Sequence, residues 1–317
     1  MRSSEPSRLI LAIFSVVIGG PLMAVDLNPQ PAPVSQEDAA QMAHAHQLMA
    51  GGKFAEATTA FAAVVRADKE LRGDQDPKTL SDRLELAVAQ GKAGDSIQAE
   101  GELRALLAVF TRREGADHDL TLNCRSALAR LLADVGRSHE AIDEYRQVLE
   151  RRERTLGAED IEVARVRHAL ADALTQAKDY EGAIPQFEKA EPVFEKVLGA
   201  EAPETLLNRS NLALAKAEHR DFAASAKELR EILAIRERAL GPTDVSVLMT
   251  CYELGRVLGG DGQYAEALVY ASRAEEGLPN VLSPSSHAAV NARTLCVEIR
   301  ADLKRTSAAK STPAPAR

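Results

Sequence analysis

The chain has 317 residues, a formal net charge of −8, 45% hydrophobic residues and 4% aromatics, with no Trp. An acidic balance lacks the basic footprint of a nucleic-acid binder, and a core so poor in aromatics must be built from Leu, Ala and Val. Three cysteines, Cys124, Cys251 and Cys296, are too few and too scattered for a disulfide framework; they read as buried small apolar residues.

Residues 1–24 read as an export signal. Arg2 and Arg8 supply a positive start, Leu9 to Gly20 is apolar and uncharged, and Pro21-Leu22-Met23-Ala24 offers cleavage after Ala24. Leu22 is larger than the usual residue there. The rival reading is an uncleaved anchor over residues 9–25, interrupted by Gly19-Gly20-Pro21 and slightly short of the roughly 20 residues a span needs. Either way the protein is expected to be exported, periplasmic or secreted, and to touch a membrane only if this segment is retained. Residues 25–35, with Pro29, Pro31 and Pro33, form an extended linker.

From residue 36 onward the chain repeats. Gly recurs at 73, 115, 157, 199 and 241, 42 residues apart. Leu86, Leu128, Leu170, Leu212 and Leu254 form a second column, followed by Ala87, Ala129, Ala171, Ala213 and Gly255. A third column, Gly52, Gly94, Gly136, Lys178, Arg220 and Gly262, precedes Ala57, Ala99, Ala141, Ala183, Ser225 and Ala267 by five. Within residues 115–156 the apolar residues fall at spacings of three and four on two stretches, Leu128 to Leu132 and Ala141 to Leu149. That spacing predicts two amphipathic helices, each stopped by glycine. Such a hairpin cannot bury its apolar faces alone and needs copies of itself.

The reading is therefore an all-α solenoid over 36–304, with helix-turn-helix repeats near 36–72, 73–114, 115–156, 157–198, 199–240 and 241–282. Asp76-Pro77 supplies a helix cap followed by proline at the first helical position, and Asp160 and Asp244 keep the cap. Ser283-Pro284-Ser285-Ser286 replaces the next glycine. One more amphipathic helix, 287–304, carries Val290, Leu295, Ile299 and Leu303 and reads as a terminal cap. Residues 305–317 read as a disordered tail. The charged run Glu150-Arg151-Arg152-Glu153-Arg154 reads as a solvated outer face with ion pairs inside its helix.

The pattern resembles tetratricopeptide repeats of the 42-residue, kinesin-light-chain-like type. Gly52-Lys53-Phe54-Ala55-Glu56-Ala57, Gly136-Arg137-Ser138-His139-Glu140-Ala141 and Gly262-Gln263-Tyr264-Ala265-Glu266-Ala267 carry the resemblance. So do Arg151 to Gly157 and Ile235 to Gly241. It implies a right-handed superhelix of about six repeats plus a capping helix, its first helices lining a concave groove that binds peptides or protein segments. The family tends to carry Asn before the Leu-Ala pair, where it can bond a peptide backbone. Here that position holds Ala43, Glu85, Ala127, Ala169, Asn211 and Glu253, so only one repeat keeps it.

Helical spacing selects the residues expected to face the groove. These are Asn123, Ser126 and Arg130 in repeat three, and Arg165, His168 and Asp172 in repeat four. Repeat five offers Leu207, Ser210, Asn211 and Leu214, and repeat six offers Met249, Tyr252 and Arg256. The expectation is an acidic segment received by repeats three and four and an apolar anchor by repeats five and six. No phosphate loop, nucleophile elbow, Cys-x-x-Cys pair or His-Glu-x-x-His helix occurs. The chain thus reads as a non-catalytic interaction scaffold with a protein or peptide partner and without a cofactor, metal or small-molecule substrate. The alternatives are an accessory subunit of an envelope enzyme or transport complex, tethered by its N-terminus, and a self-assembling structural protein.

Overall fold

The computed structural model describes residues 36–311. The signal or anchor at 1–24, the linker at 25–35 and the end of the tail, 312–317, lie outside the described residues. Among the described residues there are thirteen α-helices and no strand. They run α1 Gln36–Ala50, α2 Phe54–Arg72, α3 Pro77–Ala93, α4 Ser96–Glu114, α5 Asp119–Asp134, α6 Ser138–Leu156 and α7 Ile161–Gln176. The remainder are α8 Tyr180–Leu198, α9 Pro203–Glu218, α10 Phe222–Leu240, α11 Val245–Gly260, α12 Tyr264–Val281 and α13 His287–Ser311. None of them is long and apolar enough to cross a membrane.

Each helix packs on the next, and from α3 onward each odd-numbered helix also touches the following odd one. No comparable contact joins one even-numbered helix to the next. The odd helices therefore crowd together on the inner side of the stack, and the even helices fan out on the outer side. The core runs through the hairpins as the columns predict. Leu128, Leu170, Leu212 and Leu254 are buried, as are their Ala or Gly neighbours, and all three cysteines are buried and unpaired. The column at 57, 99, 141, 183, 225 and 267 is fully buried, including Ser225, whose hydroxyl has no hydrogen-bond partner.

Two kinds of turn alternate, and their backbone geometry explains two sequence columns. Between hairpins, Gly73, Gly115, Gly157, Gly199 and Gly241 hold φ of 85–98° with ψ of 153–166°. That region is essentially closed to residues with a Cβ, so the column is glycine throughout. Within hairpins, Gly94 sits at φ 100°, ψ −2°, in the left-handed region. Other residues enter that region at a cost of about 1–2 kcal/mol, and Lys178 and Arg220 do so with φ of 62° and 74°.

The inter-hairpin turns are tied by side chains. Thr121 and Thr205 hydroxyls donate to the carbonyls of Gly115 and Gly199 at 2.7 and 2.8 Å. Asp76, Asp160 and Asp244 accept from the backbone N–H two residues on, and His118 does the same through Nδ1 for α5. A column of arginines on the first helices braces the hairpins: Arg83 pairs with Glu102, Arg125 with Glu144 and Arg209 with Glu228.

Three readings need correction. Arg152 is not on a solvated face: it is 4% exposed, and its guanidinium donates to Asn123 on α5 and Glu162 on α7. Its neighbours Arg151 and Arg154 reach back to Asp117 in the turn before α5 rather than along their own helix. The capping helix continues to Ser311, seven residues past 304; no Gly or Pro stands between His287 and Thr312 to stop it. Its buried stripe is Ala289, Ala292, Cys296 and Ile299, and Val290 is exposed.

These turns and columns order a set of substitutions by thermal unfolding. Gly157→Ala is expected to cost about 1–3 kcal/mol and Gly136→Ala about 1–2 kcal/mol. Ser225→Ala is expected to stabilise by about 1 kcal/mol, since it removes an unpartnered buried hydroxyl.

Candidate functional site

A cavity of about 350 Å³ lies on the inner face between α5, α7 and α9. Arg130, Arg165, His168, Asp172 and Leu207, all expected groove residues, line it together. Ala133, Asp134, Tyr145, Ala169, Phe194 and Glu204 complete most of its wall. Three hairpins contribute, so no single repeat contains the site.

Its charges are mostly spoken for. Arg165 donates to both carboxylate oxygens of Glu204 at 3.0 and 3.1 Å and to Glu162 at 2.6 Å. These hydrogen bonds raise Arg165 above the ordinary guanidinium value and hold Glu204 below the ordinary carboxylate value. Asp134 meets Lys92 Nζ at 2.6 Å. Asp172 faces His168 Nε2 at 3.3 Å and accepts from Asn211 Nδ2 at 2.8 Å. Arg130 alone among these charged groups has no ion-pair partner among the described residues.

His168 is the most constrained of the lining residues. Its ring stands edge-on to Phe187 and Phe194, with centroids 5.4 and 6.2 Å away. Asn208, fully buried, donates through Nδ2 to the Phe187 carbonyl at 3.0 Å. Its Oδ1 therefore points at His168 Nδ1, 3.0 Å away, and the Nδ1 must carry the proton. Burial opposes charging the ring, but hydrogen bonding and charge from Asp172 outweigh it, and the imidazole titrates above its ordinary value.

A second cavity, about 210 Å³, opens beside the first between α3 and α5. Ala87, Val88, Leu103, Ala127 and Leu131 make it apolar, and Ser126, Arg130 and Asp134 border it. The apolar lining next to Arg130 thus lies toward repeat two.

The other expected residues are dispersed. Asn123 is engaged by Arg152 at 2.5 Å. Ser210 is buried and its hydroxyl donates to the Leu206 carbonyl on its own helix, which removes it from the groove surface. The Asn211 amide, the one match to the family's backbone clamp, is tied to Asp172. Leu214, Met249 and Tyr252 are half-buried and pack on the core of α9 to α13. Arg256 is paired with Glu253 at 3.0 Å and Glu218 at 2.6 Å. The residue that sequence reasoning missed is Asn208. Its 42-residue column reads Asp82, Cys124, Val166, Asn208 and Thr250, and a buried column of mixed polarity was the available signal.

A family model for the tetratricopeptide repeat matches residues 84–154, 127–196 and 162–237. Residues 84–237 are tetratricopeptide repeats. The chain is similar to nearly identical TPR-like repeats of a putative kinesin light chain from Podosopora anserina, with TM-score 0.59 and 24% identity over 65% of this chain and 97% of that one. It is also similar to BtubC (BKLC) from P. vanneervenii, with TM-score 0.55 and 21% identity over 89% and 96%. A Rap protein complexed with competence and sporulation factor matches with TM-score 0.54 and 14% identity over 85% and 76%. At these identities the likeness is one of fold. No curated protein sequence matches this chain.

A group whose pKa is raised on folding stabilises fully below its unfolded value and loses that contribution as pH rises through the folded value. The stability difference between wild type and His168→Gln is therefore expected to be largest at acid pH and to shrink as pH rises above His168's ordinary value of 6.5. A pH series of thermal denaturation checks it.

Proposed function

We propose that this protein is an interaction scaffold whose inner face docks a peptide or protein segment across the α3–α5 and α5–α7–α9 cavities. One carboxylate of the segment sits against Arg130, and an apolar side chain enters the cavity lined by Val88, Ala127 and Leu131. The observation that carries this is the charge balance of the larger cavity: Arg165, Glu204 and Asp134 are compensated within the protein, Asp172 is compensated by His168 when that ring is protonated, and Arg130 has no ion-pair partner among the described residues. A solvent-open groove with one spare cation selects a single anionic group, because every further acid would meet Asp134, Asp172 or Glu204. This narrows the expectation of an acidic segment read by both Arg130 and Arg165. The segment's apolar contact moves from repeats five and six to repeats two and three.

The fold supports the reading, since the similar Rap protein was solved in complex with competence and sporulation factor. The far end of the stack supports a scaffold over an end-to-end polymer, because α13 covers α12 and α11 with Ala289, Ala292, Cys296 and Ile299. The proposal includes export, by cleavage after Ala24 or by anchoring through residues 9–25.

Affinity capture from native extract tests it, with wild type beside Arg130→Glu and a control, Arg146→Glu, on the exposed side of α6. A partner held by wild type and by Arg146→Glu but lost from Arg130→Glu is the expected result. Equal retention on all three would place the binding surface elsewhere.

A further inference from the structure

We propose that His168 is a proton-operated charge switch for the α5–α7–α9 cavity, so that an anionic segment is captured when the ring is protonated and released when it is neutral. This rests on the docking reading above and adds its regulation.

The argument starts from the hydrogen-bond chain. Asn208 is held by the Phe187 carbonyl, which leaves its oxygen to accept from His168 Nδ1. A neutral ring in that orientation has its lone pair on Nε2, and Nε2 faces the Asp172 carboxylate at 3.3 Å. Two acceptors meeting in a half-buried wall repel. A proton on Nε2 turns the same contact into a charge-assisted hydrogen bond. Asp172 cannot swing away to relieve the neutral state, because its other oxygen accepts from Asn211 at 2.8 Å.

The charges facing His168 decide what its titration does. From α5 come Arg130 and Asp134, the latter held by Lys92 of α3. From α7 come Arg165 and Asp172, and from α9 comes Glu204, already bound to Arg165. Helix α6 contributes Tyr145, whose phenol burial pushes up so that it stays neutral. Helix α8 contributes the ring edges of Phe187 and Phe194. With His168 protonated, the carboxylates Asp134, Asp172 and Glu204 are each compensated and Arg130 stands alone. With His168 neutral, Asp172 is uncompensated and cancels Arg130 across the cavity. Imidazole is the side chain whose ordinary titration falls near neutrality, and here the switch works on the same wall that the segment would touch.

Two readouts on the full chain test the proposal. The first needs no ligand: ring ¹⁵N shifts of His168 followed from pH 5 to 9. The expected result is a pKa above that of free histidine, with the proton remaining on Nδ1 after neutralisation, and a downward shift of that pKa in Asp172→Asn. A wild-type pKa at or below that of free histidine overturns the proposal. The second uses acetyl-Gly-Leu-Glu-Leu-Gly-amide as probe, with Gln in place of Glu as the neutral control. Affinity for the Glu peptide is expected to fall about fivefold or more between pH 6 and pH 9, and to be flat in His168→Gln. Binding that is equally tight at both pH values overturns the switch and leaves docking intact. Failure of the Glu peptide to bind at either pH, or equal binding of the Gln control, overturns the docking reading and the switch with it.

Discussion

A two-helix hairpin with one apolar stripe on each arm is not a stable object in water, and everything else in this molecule follows from how that problem is solved. Stacking solves it, and stacking requires that every hairpin leave its predecessor in the same direction. The five inter-hairpin glycines set that direction with a backbone conformation that residues carrying a Cβ do not adopt. Threonine hydroxyls and aspartate caps then fix the turns, and the arginine column braces each hairpin. The same geometry draws the odd helices together, and so a concave wall is a consequence of the turn and not an addition to it.

The cavity is a product of stacking in a stricter sense. Arg130 belongs to one hairpin, His168 and Asp172 to the next, and Glu204, Asn208 and Asn211 to the one after. The contacts between these groups span about one repeat, as in Arg165 with Glu204 and His168 with Asn208, whose sequence separations are 39 and 40. A partner segment would therefore read the register between hairpins, and disturbing one inter-hairpin turn would disturb the charge balance of the groove.

Much of the fold was legible in the sequence because the repeat samples each environment five or six times. A column that is always glycine, or always Leu-Ala, reports its backbone or its burial without any tertiary information. The same columns carry burial signals at single deviant residues. Arg152 shares its column with Phe110 and Phe194, both buried, which foretold that it would be buried too. Ser225 stands in a column of buried alanines for the same reason. The site was less legible because it depends on pairing between repeats. Helical spacing placed Arg130 and Arg165 alike on the inner face, and it could not tell that Glu204 would satisfy one and leave the other free. Nor could it tell that Ser210 would turn its hydroxyl back to its own helix.

In the proposed scaffold the partner lies on the inner face, against the cavity of α5, α7 and α9. It is tested most directly by replacing Leu207, half-exposed at that cavity's edge, with the photo-crosslinker benzoylphenylalanine. The same replacement at Val269, exposed on outer helix α12, serves as the comparison. After irradiation in native extract, mass spectrometry of the adducts should find a segment bearing an acidic residue beside an apolar one attached at position 207 and not at 269. Adducts at 269 with none at 207 would contradict the account.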